Sequence, residues 1–347
     1  MTSLDLAQVS VTLGGHPVLH DVSLRLADGE RLAVVGPSGS GKTTLLRAIA
    51  GFERITRGEI RLGDDLVASA ERQVASHRRR VGYVAQDGAL FPHLTARANI
   101  AFGLGGVARG ARGDAVAAAS ALAGIEPDLL ERYPHEISGG QQQRVSLARA
   151  LAPHPRVLLL DEPFSALDTA LRAQVRTQVV DALDRAGVTT VLVTHDPAEA
   201  LAFGHAIAVL DGGRLQQAGS CAEVYAAPAT PQVARLLGDT VLLPATREAG
   251  SARCPLGLVP VRTDAAGAAS ALVVMVRPEQ LRLTTDATAP AVRVLDVVET
   301  GGTALVTVVC DDGTEARVPL RVFGVDLPAV GDTVGVVVDG AGVLYAA

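Results

Sequence analysis

Residues 31–43 constrain this 347-residue chain more than any other stretch. Arg31–Val35 reads as a short strand buried on both faces. Gly36-Pro37-Ser38-Gly39-Ser40-Gly41-Lys42-Thr43 follows at once. From residue 42 to 50 the pattern turns helical, with Leu45, Leu46 and Ile49 on one side and Gly51 at the end. A strand, a glycine-rich turn and a helix in that order make the setting of a phosphate-binding loop. The glycines let backbone N–H groups face the phosphates, and the helix N-terminus adds a favourable dipole. Lys42 is expected to reach the β- and γ-phosphates of a nucleoside triphosphate and the Thr43 hydroxyl to ligate Mg²⁺, with Thr44 completing the cradle. Lys42 is the only lysine among 31 basic residues. A slim ammonium acts as a point charge between phosphates, where a planar guanidinium fits poorly.

Around this segment the chain alternates strands and helices. Strands are expected at residues 9–13, 18–26, 81–85, 157–160, 189–193 and 206–210, and helices at 141–151, 170–186 and 197–203. The Ala-rich, glycine-interrupted stretch from 99 to about 132 suggests a helical subdomain with loops. Such alternation argues for a parallel sheet covered on both faces. After residue 237 the composition shifts to Val, Thr and Gly. Residues 292–298, 303–310 and 316–320 read as a meander with Gly301-Gly302 and Asp312-Gly313 at its turns, and 334–338 as a further strand. This implies a small all-β domain from about residue 240 onward.

A second chemical element is Val157-Leu158-Leu159-Leu160-Asp161-Glu162, an apolar strand that delivers two adjacent carboxylates to the sheet's C-terminal edge. Asp161 is placed to hold Mg²⁺, and Glu162 to polarise the water that attacks the γ-phosphate. A third is Ile137-Ser138-Gly139-Gly140-Gln141, where Ser138 opens a helix whose exposed backbone donors suit another γ-phosphate.

These three elements together resemble the ATP-binding-cassette family, whose signature loop reads L-S-G-G-Q; Ile137 takes the first place here. The resemblance implies an α/β phosphate-loop NTPase fold. Residues 1–238 would form the nucleotide-binding domain, with a helical subdomain at about 87–155, and 239–347 a small OB-like regulatory β-barrel. It implies ATP and Mg²⁺ as cofactors. It also implies a homodimer in which Gly36 to Thr44 of one copy and Ser138, Gly139, Gly140 and Gln141 of the other enclose each nucleotide. By the same resemblance Gln86 contacts Mg²⁺ and senses a transmembrane partner, Asp168 belongs to the D-loop Ser165-Ala166-Leu167-Asp168, and His195 is the switch histidine. Leu13 stands where the family usually stacks an aromatic ring on adenine, with His16 nearby. Such a stack contributes roughly 1–3 kcal/mol per base, so the departure bears on base affinity.

Gln86-Asp87-Gly88-Ala89-Leu90-Phe91-Pro92-His93 and Val276-Arg277-Pro278-Glu279 most resemble ferric-iron importer ATPases with a C-terminal regulatory domain. Polyamine, thiamine, sulfate, molybdate and sugar importers share much of the pattern. The segment around Phe91 is expected to dock a permease helix. The implied partners are integral membrane permease subunits and, indirectly, a solute-binding protein. The implied location is the cytoplasmic face of the membrane, as a peripheral subunit. The alternative class is a soluble cassette protein acting on ribosomes or DNA. A net charge of −6, a single cassette, no coiled-coil insertion and no zinc-type cysteine spacing all weigh against nucleic acid as a partner. Cys221, Cys254 and Cys310 lie far apart and suit a reducing compartment. The N-terminal stretch lacks the basic region of a signal peptide.

Overall fold

The computed structural model describes residues 2–286, 288–300, 303–310, 313, 315–321 and 327–347. They group into two compact units, 1–221 and 222–347.

In the first unit, β1 (Leu4–Leu13), β2 (His16–Leu26), β4 (Arg57–Leu62) and β5 (Asp65–Ser69) form an antiparallel sheet in the order β2-β1-β4-β5. A second sheet runs β10-β9-β3-β8-β7-β6, from β3 (Arg31–Val35), β6 (Val81–Val84), β7 (Val157–Asp161), β8 (Thr189–Thr194), β9 (Ala206–Asp211) and β10 (Arg214–Ser220). Its strands are parallel except β10, which returns antiparallel along β9. Every residue of β3, β7 and β8 is buried, which is why those strands lack polar alternation.

Helix α1 (Lys42–Ala50) turns Leu45, Leu46 and Ile49 into the core, where they meet Leu4, Val11 and Leu26 of the antiparallel sheet and Val34, Leu159 and Val193 of the parallel one. Arg79 fixes the far end of α1. It is 1% exposed, and its guanidinium donates to the carbonyls of Ala48 and Ile49 at 2.8 Å each and of Val74 at 2.9 Å. A cation on the last carbonyls of a helix satisfies orphan acceptors and complements the dipole. Burial lowers the Arg79 pKa to about 10, so the group stays charged near neutrality.

The helical part contains α2 (Ala96–Phe102), α3 (Arg112–Leu122) and α4 (Gly139–Leu151). It is more broken than its composition suggests, because glycines and one short 3₁₀ turn (Arg109–Ala111) separate α2 from α3. Helices α5 (Thr169–Ala186) and α6 (Pro197–Phe203) complete the unit. Among the described residues no helix is long and apolar enough to cross a membrane.

The second unit begins at Ala222, ahead of the composition shift that follows residue 237. It includes most of α7 (Cys221–Ala226) and all of α8 (Pro231–Leu237), because Ala234 packs with Met275, Val343 and Tyr345. Arg277 reinforces this: its Nη1 donates to the carbonyls of Ala234, Gly238 and Asp239 at 2.9, 3.2 and 3.1 Å, and the group lies 4.2 Å from the Tyr225 ring centre. The Val276-Arg277-Pro278-Glu279 segment is thus the tie that binds α7 and α8 to the β domain.

Strands β11 (Val241–Glu248), β12 (Ser251–Cys254), β13 (Gly257–Asp264), β14 (Leu272–Val276) and β20 (Gly342–Ala346) close into a barrel in the order β11-β12-β13-β20-β14. Beside it, β15 (Leu281–Thr284), β16 (Ala291–Thr300), β17 (Thr303–Val309), β18 (Glu315–Arg321) and β19 (Thr333–Val338) form a sheet ordered β15-β19-β16-β17-β18. The expected meander is β16-β17-β18; its turn residues Gly301, Gly302 and Asp312 lie outside the described residues.

Replacing Arg79 with Met keeps volume but removes every donor. The Arg79→Met variant is expected to lose about 3 kcal/mol of unfolding free energy, read from urea denaturation of the full chain.

Candidate active site

The phosphate loop leaves β3 where its backbone is wedged against β9. A Cβ on Gly36 would lie 1.9 Å from the Leu210 carbonyl oxygen, so no side chain fits. Gly41, the N-cap of α1, has φ 97°, a left-handed conformation open to glycine, and makes no side-chain cap. The first N–H groups of α1 therefore meet no capping oxygen from Gly41 and no acid in the first turn, which leaves them for an anion. Ser40 is buried with an unpartnered hydroxyl oxygen, while Pro37, Ser38 and Gly39 stay exposed. Lys42 is 6% exposed, and its Nζ donates to the carbonyls of Gly36 and Pro37 at 2.8 Å each. Burial lowers its pKa, with Glu162 and Asp161 pulling the other way. The loop thus fits the triphosphate of ATP: a walled cradle, a free helix N-terminus and one desolvated ammonium.

Asp161 ends β7 at the C-terminal edge of the sheet. The Thr43 hydroxyl donates to its Oδ1 at 3.2 Å and the Tyr83 hydroxyl to its Oδ2 at 2.7 Å. Gln86 lines the same open cleft as Asp161, Tyr83, Arg47 and Ser165. Thr43, Gln86 and Asp161 together offer hard oxygen donors of the kind Mg²⁺ takes. Burial and the Asp161 carboxylate hold the Tyr83 phenol well above its ordinary pKa, so it remains a donor.

Glu162 follows with φ 45°, and its carboxylate Oε2 lies 3.0 Å from His195 Nδ1. The expected pair of catalytic residues is therefore in direct contact. His195 is held from behind by the turn into α6. Thr194 Oγ1 accepts from the Asp196 N–H and donates to Glu199 Oε2 at 2.9 Å, and Asp196 caps α6 through the N–H groups of Ala198 and Glu199.

Ser138 to Gln141 lie elsewhere, on the flank of α5. Ser138 accepts from the Gln141 N–H at 3.3 Å, and Gln141 Oε1 accepts from the Ser138 N–H at 2.8 Å, a complete capping box. A Cβ on Gly140 would sit 2.9 Å from Val175 Cγ2, and one on Gly139 3.3 Å from Leu167 Cδ2, so these glycines also serve close packing. Asp168 is next to Leu167 and caps α5 through the Leu171 N–H at 2.9 Å. Among the described residues, Ser138 to Gln141 share no hydrogen bond with the phosphate loop. Leu13 packs half-buried against the core and is paired in register with exposed His16.

Sequence reading passed over Tyr83, Thr194 and Glu199. Tyr83 stands three residues before Gln86, a hydroxyl on the half-exposed face of a strand that otherwise buries Gly82 and Val84. Glu199 sits three residues after the Asp196 cap, the capping-box position. It is buried instead, and desolvation raises its pKa to about 7.

Comparison with known proteins agrees with this geometry. The ABC transporter model matches residues 19–165 and the TOBE domain model residues 274–344. An Fe(3+) ions import ATP-binding protein of Pseudomonas fluorescens is 48% identical over 96% of this chain and 95% of its own length. The chain belongs to the ATP-binding-cassette transporter family. A second Fe(3+) ions import ATP-binding protein, from Rhodococcus jostii, is 46% identical over 99% of both chains. The solved dimeric structure of an ATP-binding cassette bound to ADP and Pi superposes with a TM-score of 0.54 at 30% identity, covering 63% of this chain and 98% of that one.

Two variants test the cassette's site. Glu162→Gln should still bind ATP while turnover falls by roughly 10²–10⁴, measured as phosphate release beside nucleotide binding. Glu199 has a folded-state pKa above its unfolded value of 4.5, so the folded chain binds more protons and loses stability as pH rises from about 4.5 to 7. Glu199→Gln should flatten that slope and gain up to about 3 kcal/mol above pH 7, read from denaturation at several pH values.

Proposed function

We propose that the chain is the ATP-hydrolysing subunit of an importer that brings ferric iron through a membrane permease. Near-full-length similarity to two Fe(3+) ions import ATP-binding proteins carries this reading. The transported ion is cargo and never meets this subunit.

ATP sits with its phosphates on the α1 N-terminus and Lys42. Thr43, Asp161 and Gln86 would hold Mg²⁺, which would supply charge neutralisation at the phosphates. Glu162 orients and polarises the attacking water, and His195, fixed on Glu162, reaches the γ-phosphate. Because Ser138, Gly139, Gly140 and Gln141 lie away from their own phosphate loop, they serve the nucleotide of a second copy. The solved dimeric cassette supports that arrangement. Asp168, beside the signature turn, joins the dimer seam. Residues 239–347, the TOBE-like part of the second unit, serve as the regulatory domain.

A groove in the first unit supports permease docking. Phe52 and Phe102 are 49% and 62% exposed in it, and Phe91 packs on Phe102 at 4.4 Å between ring centres. Buried Asn99 pins that loop, accepting from the Phe91 N–H at 2.8 Å and donating to the carbonyls of Phe91 and Leu94. A permease helix would fill the groove on the cytoplasmic face of the membrane, and a solute-binding protein would deliver the iron.

Cells lacking this chain are expected to lose uptake of chelated ferric iron, with recovery on re-expression of the intact chain but not of Glu162→Gln. Unchanged iron uptake alongside lost uptake of a polyamine, thiamine, an oxyanion or a sugar would reassign the cargo.

A further inference from the structure

Tyr83 is the side chain in which the nucleotide cleft and the docking groove meet. It lines both: the cleft with Gln86 and Asp161, and the groove with Phe52, Phe91 and Phe102. Its hydroxyl lies 2.7 Å from Asp161 Oδ2, while Thr43 holds the other oxygen. Both oxygens of the carboxylate are thus fixed by hydroxyl donors from separate elements, β6 and α1. The ring is braced in turn: Phe52 meets it edge-on, with centres 5.5 Å apart and planes at 77°. Phe52 directly follows Gly51, the C-cap of α1, and the Arg47 guanidinium lies 5.9 Å from its ring centre.

We propose that Tyr83 is a positioning residue that holds Asp161 in the orientation needed for Mg²⁺, and that Phe52 braces it from the docking groove. The proposal rests on reading Asp161 as the metal-holding carboxylate. Loss of a partner that orients a metal ligand typically costs roughly 10–100-fold in metal affinity. An unrestrained Asp161 would have to be ordered anew at each binding event. Phe52 is half-exposed, so whatever occupies the groove presses on the ring that sets the carboxylate.

The test uses the full chain with Mn²⁺ as the metal probe and a non-hydrolysable ATP analogue. Tyr83→Phe keeps the ring and removes only the hydroxyl. The Mn²⁺ concentration for half-saturation is expected to rise about tenfold or more, while analogue affinity in chelator stays unchanged. Phe52→Leu should shift Mn²⁺ the same way by a smaller factor. An unaltered Mn²⁺ response in Tyr83→Phe would overturn the positioning role, and so would an equal loss of metal-free analogue affinity, since that marks general damage to the site. An unaltered response in Phe52→Leu would overturn the bracing. If the unmodified chain bound no analogue at all, the nucleotide reading itself would fail, which is a distinct result.

Discussion

The backbone of Gly36 passes so close to the Leu210 carbonyl that not even a methyl group fits between β3 and β9 at that point. This close approach fixes where the phosphate loop leaves the sheet, and with it the direction of the α1 N–H groups. Arg79 holds the other end of the same helix through its terminal carbonyls. With both ends pinned, the cradle is ordered before a nucleotide arrives, so little ordering cost is left to binding. Lys42 shows the same preparation. Its ammonium is buried on two loop carbonyls, and the neighbouring carboxylates Glu162 and Asp161 offset part of the desolvation that lowers its pKa.

Two helix N-termini in the first unit are built for different tasks. Helix α1 has a glycine cap and no side-chain acceptor, so its dipole and donors face an anion directly. Helix α4 has a complete capping box, which satisfies the donors of Ser138 and Gln141 and leaves the N–H groups of Gly139 and Gly140, the two positions without a side chain. The first arrangement is open to a phosphate held by its own loop. The second is a prefolded projection that can meet one from outside. That difference is the observation on which the proposed site shared between two copies rests.

The elements legible in the sequence were those where one local pattern dictates the backbone. Arg31–Val35 and Val157–Asp161 read as buried strands because every residue in them is covered, and Lys42–Ala50 as a helix because its apolar face repeats at helical spacing. The proposed site residues stand out for the same reason: they fall just beyond strand ends or at helix starts. What could not be read depended on distant partners. Tyr83 looks like any strand aromatic until Asp161, 78 residues away, is beside it. Arg79 is one of three successive arginines, and only tertiary packing selects it for burial. The barrel was implied only through the family resemblance, because β20 pairs parallel with β13 and antiparallel with β14, contacts between segments far apart in the chain. The attachment of α8 to the second unit depends on Ala234 and Arg277, which composition does not reveal.

Glu162 shows how this framework supports chemistry. Its φ of 45° is uncommon for a residue with a side chain and costs on the order of 1–3 kcal/mol. The cost is met by fixed partners: its N–H donates to the Val193 carbonyl at 2.9 Å, and its own carbonyl accepts from the Ser165 N–H and hydroxyl at 3.2 and 2.9 Å. An ordinary extended conformation would continue β7 and carry the carboxylate away from the loop. The left-handed turn instead brings it to His195 while Asp161, one residue earlier, stays with Thr43 and Tyr83. Two adjacent acids thereby acquire separate surroundings, one tied to the Thr43 and Tyr83 hydroxyls and one to an imidazole. The strained residue is the point at which a structural strand becomes a reactive edge.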